Sequence, residues 1–302
     1  MCPSYNATKD EKDTTRARAN MLRAIVSGTL PPDAISSQEM HEVFDLCLSC
    51  KSCKSECPSS VDAAKMKLEV LGHYHAKHGL SIRDRLFGYV HEMSRYTSVL
   101  PALSNFAMGN ALSKEILSKI GIHMDRSLPK LSNANFISWF NNRLQHTNNN
   151  NKNKVAYFHD TWATYYHPEI GKAAVELLET AGFDVIIVEK RACCGRPMLS
   201  KGMIEPAREL AIKNVSELTP YVKDGIPIVG TEPSCILTFR DEYLDLLPQN
   251  EDAEILSQNS YILDEFLLKL HTSGELKIDW KDSGPKVFYH GHCHQRSLIG
   301  NK

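Results

Sequence analysis

The sequence predicts an α + α/β protein: a helical first half, then an α/β domain with a mainly parallel sheet. Three observations predict it. Apolar residues recur at helical spacing up to about residue 145. A polar low-complexity stretch, "QHTNNNNKNK", then offers nothing to bury and reads as a linker. After it, short apolar runs alternate with amphipathic ones, the strand–helix–strand order of parallel strands with helical crossovers. The expected boundaries are 1–145, a linker over 146–154, and 155–302. A chain of 302 residues is long enough for two such domains, each with its own core.

Charge divides along the same line. Residues 1–153 carry 19 Lys and Arg against 14 Asp and Glu, and the remainder carries 16 against 22. The formal net charge of −1 gives no reason to expect nucleic acid as a partner. No apolar run approaches the roughly 20 residues needed to span a bilayer. The opening "MCPSYNATKDEKD" lacks the apolar core of a signal peptide. A cytoplasmic location follows as the expectation, and in that reducing compartment clustered thiols serve metals more often than disulfides.

In chain order, "TTRARANMLRAIVS" places Met21, Leu22, Ile25 and Val26 on one helical stripe, with Gly28 as its stop. "SSQEMHEVFDLCL" offers Ser36 or Ser37 as a cap, with Glu39 in the first turn. That helix leads into Cys47, Cys50, Cys53 and Cys57, the last followed by Pro58. "VDAAKMKLEVLGHYHAKHG" and "SIRDRLFGYVHEMSRYTSVL" read as two further helices, and weaker patterns continue to 145. His73, His75 and His78 lie on the first of these and read as surface or packing residues.

Four thiols within eleven positions admit a disulfide knot, a zinc site or an iron–sulfur site. The spacing C-x2-C-x2-C-x3-C-P is that of bacterial-type ferredoxin sites, whereas zinc sites use two separated C-x2-C pairs. A helical, ferredoxin-like 4Fe-4S domain is therefore expected over 1–145. In two-cluster ferredoxins the fourth cysteine of such a run ligates the other cluster. Cys47, Cys50 and Cys53 then need a distant fourth ligand, and Cys2, itself followed by Pro3, is the candidate.

In the second half, "KVAYFHD", "DVIIVE" and "IPIVG" read as strands, with helices over "HPEIGKAAVELLETAG", 203–218 and "EPSCILTFRDEYLDLL". "KVFYHGHCH" reads as a last strand that begins a fresh unit, so the α/β domain is expected to be incomplete at the C-terminus. Cys193 and Cys194, Cys235, and Cys293 each follow a predicted strand, and strand C-terminal ends are where ligands bind in such sheets. The expectation is a second metal or cluster site from these four. His159, with Asp160 beside it, and His290, His292 and His294 are accessory candidates, as donors to sulfur, metal ligands or proton carriers.

Together "CLSCKSCKSECPSSVD", "ACCGRP", "EPSC" and "HGHCHQ" resemble the iron–sulfur, cysteine-rich (CCG-domain) portion of FAD-linked 2-hydroxy-acid dehydrogenases. Members act on D-lactate, glycolate or D-2-hydroxyglutarate; related modules occur in anaerobic glycerol-3-phosphate dehydrogenase and heterodisulfide reductase. "MCPSYNATKDEKDTTRARAN" looks like the segment that follows the family's first cluster motif, although Ala17 replaces the glycine between its two arginines. The resemblance implies that residues 155–302 hold a first CCG repeat and the start of a second. It implies electron transfer from a flavin, on a domain or partner outside this sequence, through 4Fe-4S clusters to a quinone or electron-transfer protein. The catalytic hydride chemistry would then belong to the flavin portion. Peripheral membrane association is compatible with that role. Arg16, Arg18, Lys51 and Lys54 are candidates to offset cluster charge.

The first three cysteines of the upstream motif, a second CCG segment after "HCHQ" and a flavin domain are missing, so the chain is expected to be an internal piece or one product of a split gene. Cys57 would then point at a cluster whose other ligands lie elsewhere. Two alternatives stand beside this: a heterodisulfide-reductase-like module with a catalytic CCG cluster, and a non-enzymatic metal-binding interaction protein.

Overall fold

The computed structural model describes residues 2–143, 153–276, 278 and 284–300. The predicted linker over 146–154 lies outside the described residues except at 153 and 154, and Lys154 already opens a strand. The chain forms two compact units, and neither is one continuous stretch. The first combines 1–88, 197–207 and 289–302; the second combines 89–196 and 208–288.

In the first unit, three of the helices start where a side chain satisfies orphan N–H groups of the first turn. Thr14 accepts from the Ala17 N–H ahead of helix Thr15–Val26. Ser37 does so for Met40 ahead of Gln38–Asp45, and Asp62 for Ala64 and Lys65 ahead of Ala63–His78. Met40, Phe44 and Val70 are fully buried where these helices meet, with Met21, Leu22 and Ile25 packed against them. Val26 completes the predicted stripe only in sequence; it is 89% exposed.

The segment 197–207 closes on helix Ala63–His78 at Gly202, whose φ of +67° and whose Cβ position, 2.5 Å from that of Leu71, both demand glycine. Lys201 adds an ion pair to Asp84 at 2.9 Å. The single helix expected over 81–100 is two, Ile82–Gly88 and Val90–Thr97, broken at Tyr89. Gly88 is buried against the Met203 sulfur, and a side chain there would collide with it. The first helix ends on glycine, a poor helix former, at this close approach.

The second unit is built on a four-stranded parallel sheet: β1 Lys154–Tyr157, β2 Asp184–Ile187, β3 Ile228–Gly230 and β4 Ser260–Ile262, ordered β2-β1-β3-β4. Helix Pro168–Thr180 connects β1 to β2, and Ile204–Lys223 connects β2 to β3. The chain therefore turns to opposite sides of β1, which makes the β1/β3 boundary the topological switch point.

Val155, Tyr157, Val175, Leu178, Val185 and Val229 form the core, joined by Phe136 and Phe140 from helix Phe136–Asn142. Those phenylalanines belong by packing to the second unit although they precede the linker. The strand expected over 286–294 does not form: residues 286–292 join no ladder, and 293–298 are helix. Val287 and Phe288 are 84% and 102% exposed there. Alternating apolar residues make a strand only where a sheet edge receives them.

Candidate functional site

The first site forms between helices Gln38–Asp45 and Ser52–Glu56. Ser49 and Lys51 adopt left-handed conformations, φ 51° and 62°. Left-handed residues of this kind occur in the anion-binding concavities that recur at iron–sulfur sites. The Lys67 ammonium holds the entry to the loop, donating to the carbonyls of Asp45 and Cys47 at 2.8 and 2.7 Å.

The concavity is a cavity of about 240 Å³ lined by Cys2, Cys47, Cys50 and Cys53, with Arg18 and Arg296 among its other walls. Cys57 is not in that lining. The thiols surround a space rather than converge on a point: among the described residues, no three His, Cys, Asp or Glu side chains stand close enough to share one metal ion. The Ala63 N–H donates to the Cys53 sulfur at 3.3 Å.

The surroundings of Cys2 favour its thiolate form. Arg18 is fully buried and places its guanidinium on the Val43 carbonyl (3.0 Å), the Cys2 sulfur (3.4 Å) and the Ser4 hydroxyl (3.1 Å). Burial pushes the Cys2 thiol up, but the Ser4 hydroxyl and N–H, Arg18 and the Tyr5 N–H outweigh it and hold it below its ordinary value. Cys57 is also held low, by the N–H groups of Val61, Ser59 and Ser60. Cys53 is raised, chiefly by burial. Four thiols, the Ala63 N–H on Cys53 and a buried guanidinium fit a thiolate-ligated cluster, whose negative charge needs such donors.

The second site lies at the switch point. The loop after β2 carries Cys193 and Cys194, both buried, and Gly195 at φ +84°. Cys235 sits in the first turn of helix Pro233–Arg240, after β3. The Cys194 thiol donates to the Cys235 sulfur at 3.0 Å. Asn214 holds the loop: its Oδ1 accepts from the Ala192 N–H (2.8 Å), and its Nδ2 donates to the Cys193 carbonyl (2.9 Å) and the Tyr243 hydroxyl (2.8 Å). Tyr243 in turn donates to the Cys194 carbonyl at 3.1 Å.

All three thiols stay protonated. Cys193 is raised by its hydrogen bond to Cys194 and by burial. Cys194 is eased by Cys193 but raised further by its bond to Cys235 and by burial. Cys235 is eased by Cys194, yet burial and the charges of Asp160 and Glu232 push it up to about 11. His159 is buried and neutral, its pKa driven well down by burial and by Arg191. Arg191 donates to its Nδ1 at 3.0 Å, so the ring proton is on Nε2. Asp160 caps the helix after β1 through the N–H groups of Trp162 and Ala163, at 2.7 and 3.1 Å.

Thiol alkylation should follow these environments. In the metal-free chain, iodoacetamide should reach half-maximal rate at lower pH for Cys2 and Cys57 than for Cys193, Cys194 and Cys235, the last near pH 11. Peptide mass mapping against pH reads the order, and identical profiles for Cys2 and Cys235 would contradict it.

Comparison with known proteins names the two segments. Residues 1–62 match the family model "4Fe-4S dicluster domain", and residues 155–240 match "Cysteine-rich domain". The chain carries a 4Fe-4S dicluster domain and a cysteine-rich domain. It is 28% identical over 220 residues to a subunit of the anaerobic glycerol-3-phosphate dehydrogenase of Escherichia coli K12, covering 72% of this chain and 54% of that protein. Against D-2-hydroxyglutarate dehydrogenase of Pseudomonas putida it is 24% identical, covering 87% of this chain and 30% of the relative. With the probable glycolate oxidase iron-sulfur subunit of Bacillus subtilis it shares 24%, covering 99% and 69%. The chain thus spans about half of the first relative's length and less of the second's. No solved structure matches it. Among the described residues, no helix is long and apolar enough to cross a membrane.

The four cysteines expected at the second site do not fall in one unit. Cys193, Cys194, Cys235 and His159 belong to the unit of the cysteine-rich domain; Cys293, His290, His292 and His294 belong to the unit of the 4Fe-4S dicluster domain. His290 and Cys293 are exposed. His292 accepts from the His294 N–H at 3.2 Å and caps its own helix. Of the four candidate cations, Arg18 reaches a cysteine sulfur, Lys51 lines the cavity, Arg16 pairs with Glu11 at 2.7 Å and Lys54 with Asp62 at 3.9 Å. Asn214 and Tyr243 escape a reading of the sequence. Their one signal is an asparagine on the apolar face of "LAIKNVSEL".

Proposed function

We propose that this chain is the iron–sulfur electron-transfer segment of a flavin-dependent dehydrogenase of the 2-hydroxy-acid or glycerol-3-phosphate kind. The observation that carries it is Cys2 beside Cys47, Cys50 and Cys53 around one cavity, under a buried guanidinium. When bound, the 4Fe-4S group supplies one-electron transfer at nearly fixed geometry. The chain's own residues would hold it: three thiols of one loop and a fourth from the N-terminus, with the Ala63 N–H and Arg18 as donors to sulfur. A flavoprotein domain or subunit would take the hydride, and a quinone or electron-transfer protein would receive the electrons. Relatives named as a dehydrogenase subunit and as an iron-sulfur subunit support this reading.

Anaerobic isolation with iron and sulfide analysis tests it. About four iron and four sulfide per chain, with an EPR signal on dithionite reduction, is the expected result. Stoichiometric zinc without iron would sink the proposal.

Cys193, Cys194 and Cys235 are ligand candidates for a second metal or cluster. Two thiolates on one tetrahedral ion sit about 3.8 Å apart, from bonds of about 2.3 Å. The 3.0 Å pair here is instead a protonated, hydrogen-bonded one. Loading the site must therefore release protons and spread the sulfurs, so metal uptake there rises with pH.

A further inference from the structure

The "HGHCHQR" segment falls in the compact unit of the first site. His294 is buried, and its Nε2 lies 3.0 Å from the carbonyl of Ser49. A carbonyl only accepts, so Nε2 carries the proton and donates. One helical turn on, the Ser297 hydroxyl donates to the carbonyl of Cys50 at 2.9 Å. Between them Arg296 lines the cavity that Cys2, Cys47, Cys50 and Cys53 share. Helix Cys293–Leu298 thus touches the ligand loop at two consecutive carbonyl-bearing positions and presents a cation to the same space.

We propose that residues 292–298 form a strap that belongs to the 4Fe-4S site. His294 and Ser297 fix the ligand loop, and Arg296 raises the reduction potential of the group held there. The inference rests on the proposed function, since it assumes that the cavity takes a 4Fe-4S cluster. The physical basis is independent of which dehydrogenase it serves. Ser49 stands in a left-handed conformation between two cysteines, which the chain does not adopt unaided. A donor on its carbonyl, and another on that of Cys50, hold that turn against relaxation. Arg296 acts by charge: it favours whichever cluster state carries one more electron. His294, Arg296 and Ser297 are positioning residues, with the thiols as ligands.

Three measurements on the full chain, prepared anaerobically, test this. For Arg296→Gln the iron content should match wild type, and the EPR-monitored potential should fall by about 59 mV, a tenfold shift in the reduced-to-oxidised ratio for one electron. Arg296→Lys, which keeps the charge, should restore most of that shift. The double change His294→Ala and Ser297→Ala should accelerate iron release to a chelator about tenfold, with each single change intermediate. Arg296 is exposed as a residue, so its substitution leaves the fold intact. An Arg296→Gln potential equal to wild type overturns the electrostatic half. Unchanged chelator kinetics in the double variant overturns the strap. Wild type without a 4Fe-4S cluster overturns the functional reading and the inference with it. A normal wild-type cluster with indifferent variants overturns the inference alone.

Discussion

Cys2→Ser should strip most of the iron and sulfide from this chain, whereas Cys57→Ser should leave the cluster of the described cavity in place. Removing one outer-shell partner already costs metal sites roughly 10–100-fold in affinity, and loss of a ligand should cost at least that. The two thiols resemble each other in one respect, since both are held below their ordinary pKa by hydrogen bonds. Acidity alone cannot separate them. Position does: Cys2 lines the cavity with Cys47, Cys50 and Cys53, and Cys57 does not. A serine at position 2 would keep a polar atom near Arg18, yet a hydroxyl there is far harder to ionise than a thiol. The buried guanidinium would then face a neutral group. Iron and acid-labile sulfide per chain, measured after anaerobic preparation of both variants, decide it. Equal loading of Cys2→Ser and wild type rejects the assignment, and so does equal loss in the two variants.

Asn214→Leu should destabilise the second unit by about 3–5 kcal/mol. Each buried group left without its partner costs roughly 1–3 kcal/mol. Asn214 is fully buried and serves three groups at once, the Ala192 N–H, the Cys193 carbonyl and the Tyr243 hydroxyl. Leucine is similar in size but satisfies none of them. Domains of this size are stable by only about 5–15 kcal/mol, so the loss approaches a third or more of the total. Denaturant unfolding of the metal-free chain reads the change in midpoint. Because Asn214 anchors the loop that carries Cys193 and Cys194, the same variant should expose both thiols to alkylation at lower pH. A shift under about 1 kcal/mol, with unaltered thiol reactivity, would show that the loop stands without it.

Features that depend on neighbours along the chain are legible in the sequence. The cysteine spacing and its proline, a serine cap at 36 or 37 that the structure places at Ser37, and the strands β1 to β3 with their helices follow from local pattern. Local pattern fails at β4, where Ser260–Ile262 stands between two helices with no apolar run of its own and pairs with the edge that β3 offers. It also fails at 286–294, where a convincing alternation finds no edge and the segment goes elsewhere. Gly88 is a visible break signal by its low helix propensity, whereas its packing against Met203 is not legible in its own sequence context.

The sequence by itself determined which atoms could do chemistry: a ferredoxin-type run of thiols, a fourth thiol before Pro3, and a second group at strand ends. Their acidity, partners and grouping were decided only by the tertiary structure. Arg18 is an ordinary helix residue in sequence and becomes a buried donor to sulfur because helix Thr15–Val26 packs its stripe against Met40 and Phe44. Cys293 follows a strand-like stretch yet lies in the compact unit of the first site. The physical reason is the same in each case. Ligand type and spacing are covalent properties of the chain, whereas burial, charge environment and long-range hydrogen bonds arise only when segments as far apart as Ser49 and His294 are brought to 3.0 Å.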